Sequence, residues 1–226
     1  MPPVEHWPRI YIEHPEIFAA FARAEDPEGR IVERLRALAA LAGATAVEVG
    51  CGTGRYTAEL ARACGRYVAT DPSPGLLALA AAANPGLGLV RARAESLPLR
   101  DRCVDRYLAT WVLAYLRPAA RAAAVAEALR VLRPGGSAWL VENHWAGDFQ
   151  ALRDCAGYGA EPGVKALLEE HGFEVAETLE TELRFPSAAD AEAVLGALCG
   201  EAVADKLRRA PRARFGHAVV LLRRRA

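Results

Sequence analysis

Three glycines alternate with other residues in the stretch AVEVGCGTGRYT, residues 46–57. Val47 and Val49 are β-branched and favour a strand, whereas a helix is predicted to begin near Arg55. Glycines at such a junction permit positive φ angles and let a ligand lie directly against the backbone. The free N–H groups at the start of the helix face the same ligand. The stretch therefore predicts a ligand-binding loop at the end of a buried strand.

A carboxylate is predicted at the tip of the next strand. RYVATD, residues 66–71, reads as a strand that ends in Asp71, which comes 19 residues after Gly52. In open α/β sheets ligands bind beyond the carboxyl ends of the strands, and an acid about 20 residues past a glycine loop accepts hydrogen bonds from ribose hydroxyls. The alternative role for Asp71 is an N-cap of the helix predicted in PSPGLL. The spacing favours the ribose.

The composition fits one α/β domain of 226 residues. With 28 Lys and Arg against 28 Asp and Glu, no net charge favours a nucleic acid or an anionic membrane. The five cysteines lack metal-ligand spacing, so no metal is expected and a reducing compartment is indicated. No signal peptide and no apolar run of about 20 residues is visible, which predicts a cytoplasmic protein without a membrane partner.

Predicted strands and helices alternate along the rest of the chain. Residues 1–42 are predicted to be a helical cap, in which aromatic side chains such as Tyr11 either close over a substrate or dock the cap on the domain. Further strands are predicted over 87–92, 103–116, 138–141, 173–185 and 215–225, with helices between them. This order of elements predicts a sheet covered by helices.

Four segments in this order resemble a known family. They are the E-x-G-x-G-x-G loop, Asp71, the run Ala94-Glu95-x-x-Pro98, and the turn Arg133-Pro134-Gly135-Gly136. In these segments the chain is similar to the class I S-adenosylmethionine-dependent methyltransferases, of the small-molecule, methyltransferase domain 11-like type. The resemblance implies one domain over residues 1–226 with a Rossmann-like seven-stranded sheet, mostly parallel with an antiparallel last strand, and helices on both faces.

The resemblance also implies S-adenosyl-L-methionine as the cofactor. Asp71 would bind the ribose, and the backbone of Ala94 and Glu95 would meet the adenine edge. Arg93 stands where many relatives carry Asp, so the adenine would rely on backbone and Glu95, or Arg93 would turn to solvent. The predicted cofactor-binding residues are Glu48, Gly50, Cys51, Gly52, Gly54, Asp71, Pro72, Ala94, Glu95, Thr110 and Trp111.

The acceptor side is predicted beyond the fifth strand. Residues 143–161 break the regular alternation at the edge where such folds vary their loops for different substrates. Trp111 is equally suited to the core. The substrate-binding candidates are Tyr11, Trp111, Tyr115, His144 and Trp145. A sulfonium methyl group is already activated, so alignment contributes most and a base is optional; the candidates for a base are His14, Tyr115 and His144.

The expected function is in-line transfer of a methyl group to a small-molecule acceptor. One alternative is a nonenzymatic regulatory module that binds S-adenosylmethionine or S-adenosylhomocysteine, because it would use the same residues. The other is a nicotinamide-dependent oxidoreductase, which Glu48 and the tight glycine spacing disfavour, since that class expects G-x-G-x-x-G. The sequence indicates neither the acceptor nor the oligomeric state.

Overall fold

The computed structural model describes residues 13–155 and 161–226. They form one seven-stranded sheet in the order β3-β2-β1-β4-β5-β7-β6. The strands are β1 Thr45–Val49, β2 Arg66–Asp71, β3 Leu89–Arg91, β4 Val104–Thr110, β5 Leu132–Asn143, β6 Glu174–Arg184 and β7 Arg214–Arg225. The helices described are α1 Pro15–Ala24, α2 Arg30–Ala39, α3 Thr57–Ala63, α4 Pro74–Ala83, α5 Pro118–Val131, α6 Asp148–Cys155, α7 Glu161–Glu169, α8 Ala188–Cys199 and α9 Glu201–Arg209.

The strand directions confirm the predicted sheet. Strands β1 to β5 run parallel to one another, and β7 is antiparallel to both β5 and β6. The chain moves outward from β1 to β3 and then returns to β4 on the other side of β1. The strand order therefore reverses between β1 and β4, and ligands of open α/β sheets bind at the carboxyl ends of strands at such a point.

Helices cover both faces of the sheet, as predicted. Adjacent residues of β4 show the two faces: Tyr107 packs with Leu140 and helix α5, whereas Leu108 packs with Val141 and helix α2. All four of these side chains are buried. Each buried side chain of this size stabilises the fold by about 1.5–3 kcal/mol, so both faces hold the sheet rigid beneath its carboxyl edge.

The fourth strand is shorter than the predicted 103–116. It ends at Thr110 because Trp111 has a φ of 55°, a left-handed conformation that no strand continues. A short 3-10 helix, Leu113–Tyr115, follows. Arg121 fixes this turn from beneath, since its buried guanidinium donates to the carbonyls of Leu113, Ala114 and Leu116. The break turns the Trp111 side chain away from the direction that a continued strand would give it.

Two other strand boundaries differ from the prediction. Strand β3 is limited to Leu89–Arg91. Strand β5 begins at Leu132, before the Pro134-Gly135-Gly136 turn, because Leu132 pairs with Val104 and the register shifts before Ser137 pairs with Arg106. The prediction of 138–141 was thus too short, since a glycine turn was assumed to exclude a strand.

The described part of the N-terminal segment is helical. Helix α1 packs on α8 through an apolar cluster that contains Phe21 and Leu195. Helix α2 ends at Ala39, because Ala40 adopts a φ of 49°. Tyr11 lies outside the described residues. Within the described ranges, no helix has the length and apolar character needed to cross a membrane.

Candidate functional site

The glycine loop lies at the reversal point of the sheet. Gly50, Gly52 and Gly54 have φ angles of 74°, 57° and 79°, a region that other residues rarely adopt. A Cβ on Gly50 would overlap the Val112 side chain, and one on Gly54 would overlap Asn84. These two glycines are therefore required by the packing of the loop itself.

Gly52 differs from these two glycines, because the position that a Cβ would take there is largely open. A Cβ there would meet only the ring of Phe18 within 4 Å, at 3.5 and 3.9 Å, among the residues that the structure describes. Phe18 belongs to helix α1, which thus lies over the loop. The open side of the loop is bounded by the cap and is the place where backbone could meet a ligand.

Asp71 joins the tip of β2 to this loop. Its carboxylate accepts a hydrogen bond from the Gly52 N–H at 3.0 Å and one from the Ser73 N–H at 2.8 Å. Burial raises the pKa of the carboxyl. A carboxylate has about four acceptor positions, so two remain for ligand hydroxyls. The alternative N-cap role belongs to Ser73, whose Oγ accepts from the Leu76 N–H at 3.3 Å.

Glu48 and Cys51 support the loop from inside. The Glu48 carboxylate, 2% exposed, accepts from the Thr57 hydroxyl and the Tyr67 hydroxyl, both at 2.7 Å. Burial raises the pKa of this carboxyl and also that of the Cys51 thiol. Glu48 therefore connects β1, the start of α3 and β2, which fixes where the helix begins after the loop.

The predicted adenine side lies after β3. Ala94 is buried, and Arg93 directs its largely exposed side chain to an ion pair with Glu95 at 2.9 Å. The structure thus gives the second of the two outcomes considered for Arg93, a side chain turned toward solvent. Pro72 faces the same edge, where its carbonyl accepts from Arg91 Nε at 3.3 Å.

A polar cluster lies beyond the ends of β4 and β5, with three buried members, Asn143, Arg153 and His217, and two half-buried ones, Trp111 and Tyr115. We call it the Asn143 cluster. The Asn143 Oδ1 atom accepts from Trp111 Nε1 at 3.0 Å and lies 2.7 Å from His217 Nε2. The Asn143 amide donates to the Tyr115 hydroxyl at 2.6 Å, and Arg153 donates to the same hydroxyl at 3.1 Å. Burial raises the pKa of Tyr115.

The cluster is joined to the glycine loop through Arg55. The guanidinium lies 4.2 Å from the ring centroid of Tyr56 and 5.0 Å from that of Trp111. It also donates to the Ala22 carbonyl at 2.7 Å and forms an ion pair with Glu25 at 2.8 Å. The residue directly after Gly54 thus connects the loop, helix α1 and the cluster.

The structure brings together only some of the predicted acceptor residues. Trp111 and Tyr115 meet in the Asn143 cluster, and Thr110 ends the strand beside them. His144 contacts residues of its own loop: its Nδ1 accepts from the Ala146 N–H at 3.0 Å, and its ring stacks on exposed Trp145. His14, before helix α1, lies 3.4 Å from exposed Glu16.

Sequence reasoning missed three members of the cluster, Asn143, Arg153 and His217. Asn143 begins the segment 143–161 but lacks any motif. His217 stands in FGHAVVLL, where one polar side chain in a run of core residues was the available signal. Arg153 carries no signal, since an arginine in a polar helix normally faces solvent.

Glu142, next to Asn143, makes the stability of the fold depend on pH. Its Oε1 accepts from the Ala114 N–H at 3.1 Å, its Oε2 has no hydrogen-bond partner in the described residues, and burial raises the pKa from 4.5 to about 8. The folded state then binds the proton more tightly than the unfolded state. The contribution of Glu142 to the free energy of unfolding is therefore largest below pH 4.5 and is lost as the pH rises to about 8.

We expect Glu142→Gln to remove this dependence. At about 1.4 kcal/mol per pKa unit, the variant should be more stable than the wild type at pH 9 by a few kcal/mol, with a smaller difference at pH 5. Urea unfolding at both pH values measures this. If the free energies of unfolding of wild type and variant differ by the same amount at both pH values, the raised pKa is contradicted.

Comparisons with known proteins show that this chain is similar to methyltransferases. Residues 47–140 match the family model described as a methyltransferase domain. An uncharacterized methyltransferase of Mycobacterium tuberculosis (strain H37Rv) is 38% identical over 97 residues, which cover 43% of this chain and 39% of the relative. One of Mycobacterium avium is 40% identical over 112 residues, covering 48% and 43%. The chain thus matches about two fifths of the length of these relatives.

Solved structures share the fold over most of the chain. A candidate methyltransferase from Bacillus halodurans superposes with a TM-score of 0.64 at 22% identity, covering 87% of this chain and 99% of that one. A SAM-dependent methyltransferase from Aquifex aeolicus gives 0.56 at 18%, covering 91% and 97%. The [4+2]-cyclase SpnF also gives 0.56, at 22%, covering 86% and 82%. At these identities the similarity shows the fold alone. The same fold carries out different reactions in these proteins, since one of them is a cyclase.

Proposed function

We propose that this chain, which matches a methyltransferase domain over residues 47–140, transfers a methyl group from S-adenosyl-L-methionine to a small-molecule acceptor. The observation that carries the proposal is the contact between the Asp71 carboxylate and the Gly52 N–H at the point where the strand order reverses. It joins a carboxylate suited to a ribose with a loop whose backbone is open. Residues 1–42 would act as the cap and residues 143–161 as the acceptor-specific segment of one domain.

The described residues fit this cofactor. Asp71 retains two acceptor positions for ribose hydroxyls. The open face at Gly52 would let part of the cofactor lie directly against the loop backbone. Ala94 and Glu95 would border the adenine. The bound cofactor would supply a methyl group already activated by the sulfonium. The protein then has to hold donor and acceptor in line, which in well-oriented reactions contributes about 7–11 kcal/mol.

Binding and transfer have to be measured separately, because one protein of the same fold is a cyclase. Calorimetry with S-adenosylmethionine, S-adenosylhomocysteine and NAD tests the cofactor, and a preference for NAD would end the proposal. A screen of methyl acceptors, read as S-adenosylhomocysteine release, tests the reaction. Tight cofactor binding without release across a broad screen would instead favour a regulatory binding module.

We expect Gly52→Val to abolish measurable binding of S-adenosylhomocysteine while the domain stays folded. The valine side chain would occupy the open face of the loop, and its φ of 57° adds strain of roughly 1–2 kcal/mol. Gly43→Val is the matched control, because Gly43 has a φ of 73° with nothing within 4 Å of its Cβ position. Calorimetry should show normal affinity for the control. Normal affinity of Gly52→Val would mean that the ligand lies elsewhere.

A further inference from the structure

His217 lies at the same edge of the sheet as the ends of β4 and β5. Strand β7 runs antiparallel to β5, and Asn143 pairs with Val219, so His217 is two residues past the last pair, toward that edge. Its side chain is buried, with Trp111 stacked at a ring separation of 6.4 Å and Phe149 edge-on at 5.3 Å. The ring therefore stands among aromatic walls on the predicted acceptor side.

The hydrogen bonds of Asn143 determine which nitrogen of His217 carries the proton. The indole of Trp111 can only donate, so the Asn143 atom that faces it is the carbonyl oxygen. The same oxygen lies 2.7 Å from His217 Nε2, which must then donate as well. His217 is held as the Nε2–H tautomer, and its Nδ1 carries a free lone pair.

That lone pair has no donor. His217 Nδ1 is buried and makes no hydrogen bond within the described ranges. A buried acceptor left without a donor costs roughly 1–3 kcal/mol. The fold thus pairs one nitrogen of the ring with Asn143 and leaves the other as an unpaired acceptor.

Charges around the ring restrict what can bind there. The burial of His217 and the cations Arg153 and Arg55 lower its pKa to about 3, so the ring is neutral at physiological pH. The Glu25 carboxylate lies 3.9 Å from Nε2 and is already paired with Arg55. The burial and the arginines that keep the ring from taking a proton also disfavour a protonated amine beside it, and a carboxylate has no proton to offer Nδ1. An uncharged donor meets neither obstacle.

We propose that this site takes an uncharged hydroxyl compound, an alcohol or a phenol, as the methyl acceptor, with its O–H donating to Nδ1 of His217. The inference rests on the proposed methyl transfer and names the acceptor class for it. Trp111 and Phe149 supply apolar walls beside the ring. His217 would contact the acceptor directly, whereas Asn143 positions it.

The reaction balances with these groups alone. A lone pair of the hydroxyl oxygen forms the new O–C bond, the C–S bond breaks, and its electron pair stays on sulfur as S-adenosylhomocysteine forms. The hydroxyl proton passes to Nδ1, and the imidazolium later releases it to water. A hydroxyl proton becomes strongly acidic only as the O–C bond forms, so a weakly basic imidazole is sufficient to accept it.

Nuclear magnetic resonance of the labelled full chain tests the contact without any cofactor. Phenol and benzyl alcohol should shift the His217 Nδ1 resonance and bind roughly three- to tenfold more tightly than toluene, as one hydrogen bond provides. His217→Gln should lose this preference, and His171→Gln, altered after helix α7, should keep it. Tighter binding of benzylamine or benzoate, or hydroxyl binding that leaves His217 unchanged, would overturn the proposal, and this wild-type result stands even where the variant misfolds.

A transfer assay separates this inference from the proposed function. With S-adenosylmethionine present, S-adenosylhomocysteine should be released with hydroxyl acceptors and not with matched amines or carboxylates. Release with amines alone would overturn the hydroxyl assignment and leave methyl transfer intact. Failure of S-adenosylhomocysteine to bind in calorimetry would instead remove the proposed function, while the resonance experiment would still report the hydroxyl contact.

Discussion

Asp71→Ala should weaken S-adenosylhomocysteine binding by roughly ten- to 150-fold, the equivalent of about 1.5–3 kcal/mol for lost hydrogen bonds to a charged group. The substitution removes the acceptor proposed for the ribose hydroxyls. It also leaves the N–H groups of Gly52 and Ser73 without their partner, so the loop keeps only its backbone hydrogen bonds to Thr70 of β2. Calorimetric titration measures the affinity, and thermal unfolding shows whether the domain remains folded.

The matched control is Asp105→Ala. Asp105 is also a carboxylate that accepts a backbone hydrogen bond, from the Thr45 N–H at 2.8 Å, and it pairs with Arg133 at 2.9 Å. It lies near the start of β4, at the opposite edge of the sheet. Stability should fall in both variants, but affinity only in Asp71→Ala. An equal loss of affinity in both, or none in either, would refute the ribose role.

Arg55→Met should lower the free energy of unfolding by about 3 kcal/mol. Breaking a buried ion pair by removing one partner costs roughly 3–5 kcal/mol, because the other charge stays buried without compensation. The lower figure applies here since Arg55 is 21% exposed and Arg153 still acts on Glu25, which is 4% exposed. Urea unfolding measures the change.

Two further variants identify the cause of that loss. Glu25→Gln combined with Arg55→Met removes both charges and should recover a large part of the stability. Arg34→Met breaks the ion pair of Arg34 with Glu177, which is 2.6 Å long but has side chains 42% and 26% exposed, and should cost at most about 1 kcal/mol. A double variant as unstable as Arg55→Met would show that packing of the guanidinium, rather than the buried charge, is the larger effect.

The sheet could be predicted from the sequence because its signals are local. The glycine loop after Val49, the acid that ends β2 and the alternation of elements each depend on a few adjacent residues. The left-handed Trp111 could not be predicted in this way. Its conformation depends on the backbone contact with Val141 and on Arg121 beneath the next turn, which are distant in the sequence.

The acceptor side was predicted less well for a related reason. Its members come from the turn after β4, the end of β5, helix α6 and β7, and no spacing along the chain connects Asn143 with His217. His144 was chosen because it follows a strand, but the residue before it is the one that points into the cluster. One step along a strand exchanges the two faces, so a histidine or asparagine cannot be assigned to a site from its position alone.

Arg55 couples the order of the glycine loop to the docking of helix α1. It follows Gly54 directly and holds helix α1 through Ala22 and Glu25, while Phe18 of the same helix borders Gly52. Anything that orders the loop then also stabilises the docked helix, and thermodynamic reciprocity requires that the docked helix tighten the ligand by the same factor. Amide hydrogens of α1 should accordingly exchange with solvent more slowly once the loop is filled.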